Sequence, residues 1–232
     1  MALAWGAAAD TAGANNFDTT LTRSWTSENG TNAYCVVCVP LDNGGSATVS
    51  SISWQSKTFT RLSGTPAGTD LAAEIWGAPL GASYTAQTGN LVITFSANTT
   101  SNAIIRQVNG ASQTSADHHG GAGLATTETT APSITVTSVA TTEFLIGCFC
   151  KADGANTYSW GGSATEIAQL VLTNSTTRRV GVAYRTGVSG SQAISATISN
   201  TYVGGAAVAL VEAAGAGASV VPVLMAQYRQ RR

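Results

Sequence analysis

The sequence predicts an all-β protein: a two-sheet antiparallel β-sandwich of jelly-roll type, built from two pseudo-repeated halves and ending in a short C-terminal extension. Three observations point there. Short alternating runs bounded by Gly, Asn, Asp and Pro recur at intervals of about 10–20 residues. Helix signals are nearly absent, since no stretch before the tail sets apolar residues at helical spacing among good helix formers. The third is an internal echo: "SISWQSKTFTRL" (51–62) and "SWGGSATEIAQL" (159–170) each open an alternating stretch with Ser-Trp.

The echo extends through the chain in order. "AYCVVCVPLDNG" (33–44) matches "FLIGCFCKADGA" (144–155), with Asp42 against Asp153. "VSSISW" (49–54) matches "ANTYSW" (155–160), and "LAAEIWG" (71–77) matches "RVGVAYR" (179–185). "NLVITFSANTT" (90–100) matches "QAISATISNTY" (192–202), and "AIIRQVNGAS" (103–112) matches "AVALVEAAGA" (207–216). The lead-ins "DTTLTRSWT" and "APSITVTSV" rhyme as well. Two such halves, each with one apolar face, can bury those faces against each other as packed antiparallel sheets.

Three segments follow from this reading. Residues 1–29 form an N-terminal arm and lead-in strand, in which Trp5 and Trp25 cover the sandwich edge or touch a neighbour. Residues 30–214 form the sandwich, with pseudo-repeats at about 33–112 and 144–214. Residues 215–232 form a linker and basic tail. The Gly/Thr-rich connection 109–133 crosses one end of the sandwich. In the body, Trp54, Trp76 and Trp160 are expected at sheet ends or in the core.

Composition narrows the function classes. Charged residues are only 10 % of the chain, yet 44 % is hydrophobic, so the chain has enough apolar material to fold. The low charge favours an extracellular or assembled protein over a free cytosolic enzyme. Net charge is −1, so no global field recruits nucleic acid or an anionic membrane. The terminal "MALAWGAAAD" lacks the basic and long apolar regions of a secretory signal, and no apolar run is long enough for a transmembrane helix.

The four cysteines sit in apolar strand-like runs, as Cys35 and Cys38 and as Cys148 and Cys150. In a strand, Cys35 and Cys38 point to opposite faces and cannot easily grip one ion. Buried free thiols are the preferred reading, over a disulfide between strands or a metal site.

Catalytic constellations are sparse. The only histidines are His118 and His119, beside Asp117 in "SADHHGGAG", read as a solvent-exposed loop tip over a weak divalent-metal site. No G-x-S-x-G elbow or phosphate-binding loop is present. Glu74, Glu143, Glu166 and Glu212 stand alone among apolar or hydroxyl neighbours, which argues against a paired-carboxylate glycosidase. Arg178 and Arg179 are read as a solvated pair. No catalytic residue, cofactor or metal ligand is assigned.

The tail differs in kind. Small residues at 212–219 precede Val221, Val223, Leu224, Met225 and Tyr228, and then Arg229, Arg231 and Arg232. So apolar and basic an ending is expected to dock, on another subunit or back onto the body, in preference to fraying.

The segments "TVSSISWQSKTFTRL", "AAEIWGA" and "GNLVITFS", the repeat of that scheme, and the ending "VVPVLMAQY" resemble β-sandwich structural proteins of tailed bacteriophages and prophages. The resemblance covers about residues 30–232 and carries no catalytic motif. It implies a non-enzymatic virion component: a capsid decoration (cement) protein, a head fibre or part of a tail adhesin. The expected partners are a major capsid protein or other virion subunits, and further copies of the chain, a trimer among the forms considered. Neither nucleic acid nor membrane is an expected partner. Trp5, Trp25, Val221, Val223, Leu224, Met225, Tyr228, Arg229, Arg231 and Arg232 are the expected partner-binding residues. The alternative is a carbohydrate-binding module of a receptor-binding adhesin, with Trp25, Tyr158 and Tyr202 stacking on sugar rings.

Overall fold

A computed structural model describes residues 2–6, 16–42, 47–65, 70–173 and 177–214. The described residues are strands and turns, with one short 3-10 turn at Ser115–Asp117. The first half contributes β1 (Ala4–Trp5), β2 (Asn16–Thr26), β3 (Gly30–Asp42), β4 (Val49–Trp54), β5 (Lys57–Thr58), β6 (Thr60–Gly64), β7 (Leu71–Tyr84), β8 (Thr88–Ser101) and β9 (Ile104–Asn109). The second contributes β10 (His119–Gly120), β11 (Leu124–Thr129), β12 (Ser133–Val139), β13 (Phe144–Lys151), β14 (Ser159–Trp160), β15 (Thr165–Thr173), β16 (Thr177–Arg185), β17 (Gly190–Thr197) and β18 (Thr201–Leu210). All strand pairs are antiparallel.

Two kinds of strand can be told apart by their residues. β4 and β12 alternate buried and exposed side chains, as strands with one wet face do. β13 is buried at every position, and β3 from Tyr34 to Leu41. Their unbroken apolar runs, "YCVVCVPL" and "FLIGCFC", suit strands covered on both sides.

The core clusters show what covers them. Cys35, Val37 and Val39 of β3 face Leu21, Ile52, Trp54, Leu91 and Ile93 of β2, β4 and β8. The opposite face of β3, Tyr34, Val36 and Cys38, joins Ile75, Ile104, Ile146, Cys148, Val182 and Val208 in a middle cluster spanning both halves. Leu145 and Phe149, on the other face of β13, join Ile134, Val136 and Ile194 of β12 and β17. The layers therefore run β2-β8-β4, then β1-β9-β3-β7-β6, then β11-β18-β13-β16-β15, then β12-β17-β14. The first two are one curled nine-stranded sheet, joined where Leu41 and Asp42 pair with Ser101 and Thr100. The expected single pair of sheets is thus corrected to one buried core per half and a third between the halves. The sequence reading gave each half only one apolar face, whereas β3 and β13 carry two.

The pairing schemes of the halves correspond. β3 pairs with β7 and β9, and β13 with β16 and β18. β8 lies between β2 and β4, and β17 between β12 and β14. The faces of β3 and β13 can be compared directly. Cys38 and Cys148 both face the middle cluster, and Cys35 and Leu145 both face outer ones, so the offset that preserves faces is even. The sequence match of 33–44 to 144–155 has an odd offset, and a slip of one residue turns every side chain over.

Backbone closeness fixes one side of the seam between halves. A Cβ on Gly204 of β18 would lie 2.2 Å from the Leu71 carbonyl oxygen, and one on Gly123 would lie 2.1 Å from that of Gly64. Only glycine allows those approaches. Hydroxyls then cross the seam. Thr126 Oγ1 donates to the Leu71 carbonyl at 2.8 Å, Ser63 Oγ to that of Gly121 at 3.1 Å, and Thr65 Oγ1 to that of Gly205 at 3.2 Å. Arg178 adds an ion pair to Asp42 at 3.2 Å and donates to the Ala152 carbonyl, so it is not the solvated residue the sequence suggested.

All four cysteines are free and buried. In the middle cluster the neighbouring Cys38 thiol, together with burial, pushes the Cys148 thiol well above its ordinary pKa. Ile146 lies in the same cluster, so Ile146→Ala is expected to cost about 2–5 kcal/mol. Because that core is shared, denaturant unfolding followed by fluorescence and circular dichroism should remain one coincident transition in both proteins. Two separate transitions would contradict the shared core.

Candidate functional site

The other side of the seam is held by aromatic rings. β1 pairs with β9, Trp5 opposite Val108. Trp5 thereby reaches the second half, where its ring lies 5.1 Å from Phe144 and 4.9 Å, edge-on, from Tyr184. The Arg106 guanidinium stacks over Trp5 at 4.2 Å. Burial lowers the Arg106 pKa, and its Nε and Trp5 Nε1 have no hydrogen-bond partner among the described residues. Such stacking on a partly desolvated ring contributes about 0.5–2 kcal/mol.

Beside this plug lies an open cleft of about 570 Å³, lined among others by Leu3, Trp5, Thr142, Glu143, Phe144, Tyr184 and Glu212. Several segments converge around it. Ala111 bridges to Glu212, Ala213 N–H donates to the Gly110 carbonyl at 2.7 Å, and Ser112 N–H donates to that of Val211. Both ends of the described chain, residues 2–6 and 212–214, therefore sit at one end of the molecule.

The Asp117-His118-His119 loop belongs to the same end, and it is not the exposed tip expected from sequence. His118 is only 8 % exposed, and its ring packs edge-on against Tyr34 at 4.5 Å. Its Nδ1 accepts from Val211 N–H at 3.1 Å, so Nε2 carries the proton. Burial pushes its pKa down to about 4. Asp117 accepts from Ser112 Oγ, while His119 is exposed with Nε2 3.8 Å from Glu143 Oε1. The three side chains serve separate partners, and no group of three or more potential metal ligands occurs among the described residues.

The carboxylates likewise have separate partners. Buried Glu74 accepts from Trp76 Nε1 at 2.7 Å and pairs with Arg61 at 3.4 Å. Its pKa is raised by burial, against those two favourable contacts. Glu143 Oε2 accepts from Ala140 N–H, and Glu166 accepts from Trp160 Nε1 and Gln169 Nε2. A second polar cluster closes the far half: buried Lys151 lies 3.9 Å from Asp153 Oδ2 and 5.4 Å from the Tyr158 ring, and its pKa is lowered by burial.

Among the expected partner-binding residues, Trp5 is half-buried in the plug and Trp25 is core, 2 % exposed and 4.5 Å from Trp54. Trp25 therefore presents no face to a neighbour. Val221, Val223, Leu224, Met225, Tyr228, Arg229, Arg231 and Arg232 lie outside the described residues. Of the aromatics considered for sugar stacking, Trp25 and Tyr158 are buried and Tyr202 is exposed. Arg106, Phe144 and Tyr184 went unremarked in the sequence, because their meeting depends on contacts between halves. Comparison with known protein families, curated proteins and solved structures finds no match to this chain.

The His118 geometry carries a pH signature. Its folded pKa of about 4 lies below the unfolded value near 6.5, so the unfolded chain binds the proton more readily. The contribution to stability is complete above about pH 6.5, declines as pH falls toward 4 and is flat below. It amounts to up to about 3 kcal/mol. The denaturation midpoint of the wild type should fall more steeply over that window than that of His118→Gln.

Proposed function

We propose that this chain is a non-enzymatic structural subunit of a virus particle, a capsid decoration (cement) or fibre protein held by its terminal segments. Its partners are a major capsid protein or other virion subunits, together with further copies of itself. The observation that carries this reading is that β1 and the Ala111–Glu212 bridge lie together at one end of a strand-dense body. A body arranged so can direct a terminal tether at one surface, and repeated weak contacts on a lattice then give strong retention.

Within the same reading each half is a jelly roll of its own, and the chain is a duplicated unit. The shared pairing scheme supports this, as do β5 and β6, which pair with β4 and β7 and so help close the curled nine-stranded sheet. The sequence resemblance to phage β-sandwich proteins supplies the virion context.

The test is deletion of residues 220–232. Particles of the encoding phage or prophage, made with full-length or shortened chain, are sedimented and the bound chain measured. Retention is expected to fall by about 10²-fold or more while the thermal melt of the free protein stays close to wild type. Unchanged retention would overturn attachment through the tail, and glycan-array binding by isolated monomer would point to the adhesin instead.

A further inference from the structure

The two core strands that cover each other each bring a cysteine to the same place. Cys38 of β3 and Cys148 of β13 are 2 % and 0 % exposed and belong to the middle cluster, where they are neighbours across the plane between the halves. Small residues let the facing sheets pack closely. The residue opposite Cys148 on β18 is Ala206, and Gly204, opposite Cys150, brings its backbone against the Leu71 carbonyl of the facing sheet. Cα atoms of β3 and β13 approach within 8 Å, against the ~10 Å usual between stacked sheets. A disulfide spans Cα atoms about 4.4–6.8 Å apart, a separation within reach of sheets packed this closely.

The other pairings are poorly placed. Cys35 faces the outer cluster of the first half, on the opposite side of β3. Cys148 and Cys150 are two residues apart on one strand, which sets their Cα atoms about 6.6 Å apart with side chains parallel, poor geometry for a bridge. Cys150 lies with Leu71 and Leu172 and beside Asp42, further along the seam from Cys38.

We propose that Cys38 and Cys148 form a latent crosslink between the halves: two thiols in a reducing compartment, and a disulfide once the protein meets a small-molecule disulfide in an oxidising one. The Cys38 thiolate attacks the small disulfide, forming a mixed disulfide and releasing one small thiolate. The Cys148 thiolate then attacks the Cys38 sulfur and expels the second. Two protein thiols are oxidised, one small disulfide is reduced to two thiols, and the two protons pass to the leaving sulfurs. Because both cysteines are buried, each attack needs the seam to open briefly or folding to be incomplete. Closure is therefore slow and, once made, shielded from reductants. The bond closes a long loop from one half to the other, the kind of crosslink that most constrains the unfolded chain. It holds or fails whether or not the chain belongs to a virus particle.

The full-length protein, reduced and folded, is incubated with oxidised glutathione, and a second sample is refolded from denaturant in the same buffer. Remaining thiols are alkylated in denaturant and the digest is mapped by mass spectrometry. Alkylated cysteines are expected to fall from four to two, with Cys38 joined to Cys148 and with Cys35 and Cys150 free. The denaturation midpoint of the oxidised form should rise and return on reduction. Cys35→Ala and Cys150→Ala should still crosslink, whereas Cys38→Ala and Cys148→Ala should not, with thermal melts confirming that each is folded. Four free thiols after both treatments, a lasting glutathione adduct, or a bridge between any other pair would each overturn the proposal.

Discussion

A β-sheet that is apolar on both faces must be covered twice, and that requirement governs this molecule. β3 and β13 present Val, Ile, Phe, Leu and Cys to both sides. One face of each is covered by strands of its own half. The other has no cover within its own half, and the two uncovered faces meet. Burying a large aliphatic or aromatic side chain contributes about 1.5–3 kcal/mol, so separating the halves would expose a core as costly as either outer one. The remaining seam contacts, whether glycine lines, crossing hydroxyls or the Arg178–Asp42 pair, act on faces already driven together.

Much of this was legible. Alternation in "VSSISW" and "SITVTSV" gave strands with one wet face. The unbroken runs "AYCVVCVPL" and "FLIGCFC" also carry the signal of double cover, which accounts for three large buried clusters where a single sandwich was expected. The odd offset in that segment has a physical origin. Where every residue is apolar, sequence holds no marker of which face is which, and register becomes ambiguous by one. Cysteine was read well for the same chemical reason: a thiol in an apolar strand behaves as a small hydrophobe.

The site at the converging ends was far less legible. Arg106, Phe144 and Tyr184, which meet Trp5 there, come from three strands in two halves, and nothing in their local sequence marks them as a site. His118 misled for the opposite reason. Polar neighbours and flanking glycines look like an exposed tip, yet Tyr34 and the Val211 amide draw the ring inward. Trp25, similarly, lies in a polar-looking lead-in strand whose alternate residues face the core. In each case the deciding partner is remote in sequence.

The seam is unequal from side to side. At Gly204 and Gly123 the main chains of the two halves touch, with no side chain between to yield. At Trp5 the halves are separated by stacked rings and an open cleft. Relative rotation of the halves must pivot on the glycine line, as a book turns on its spine. Displacement grows with distance from that spine, so the fore-edge around Trp5 registers any strain between the halves most strongly.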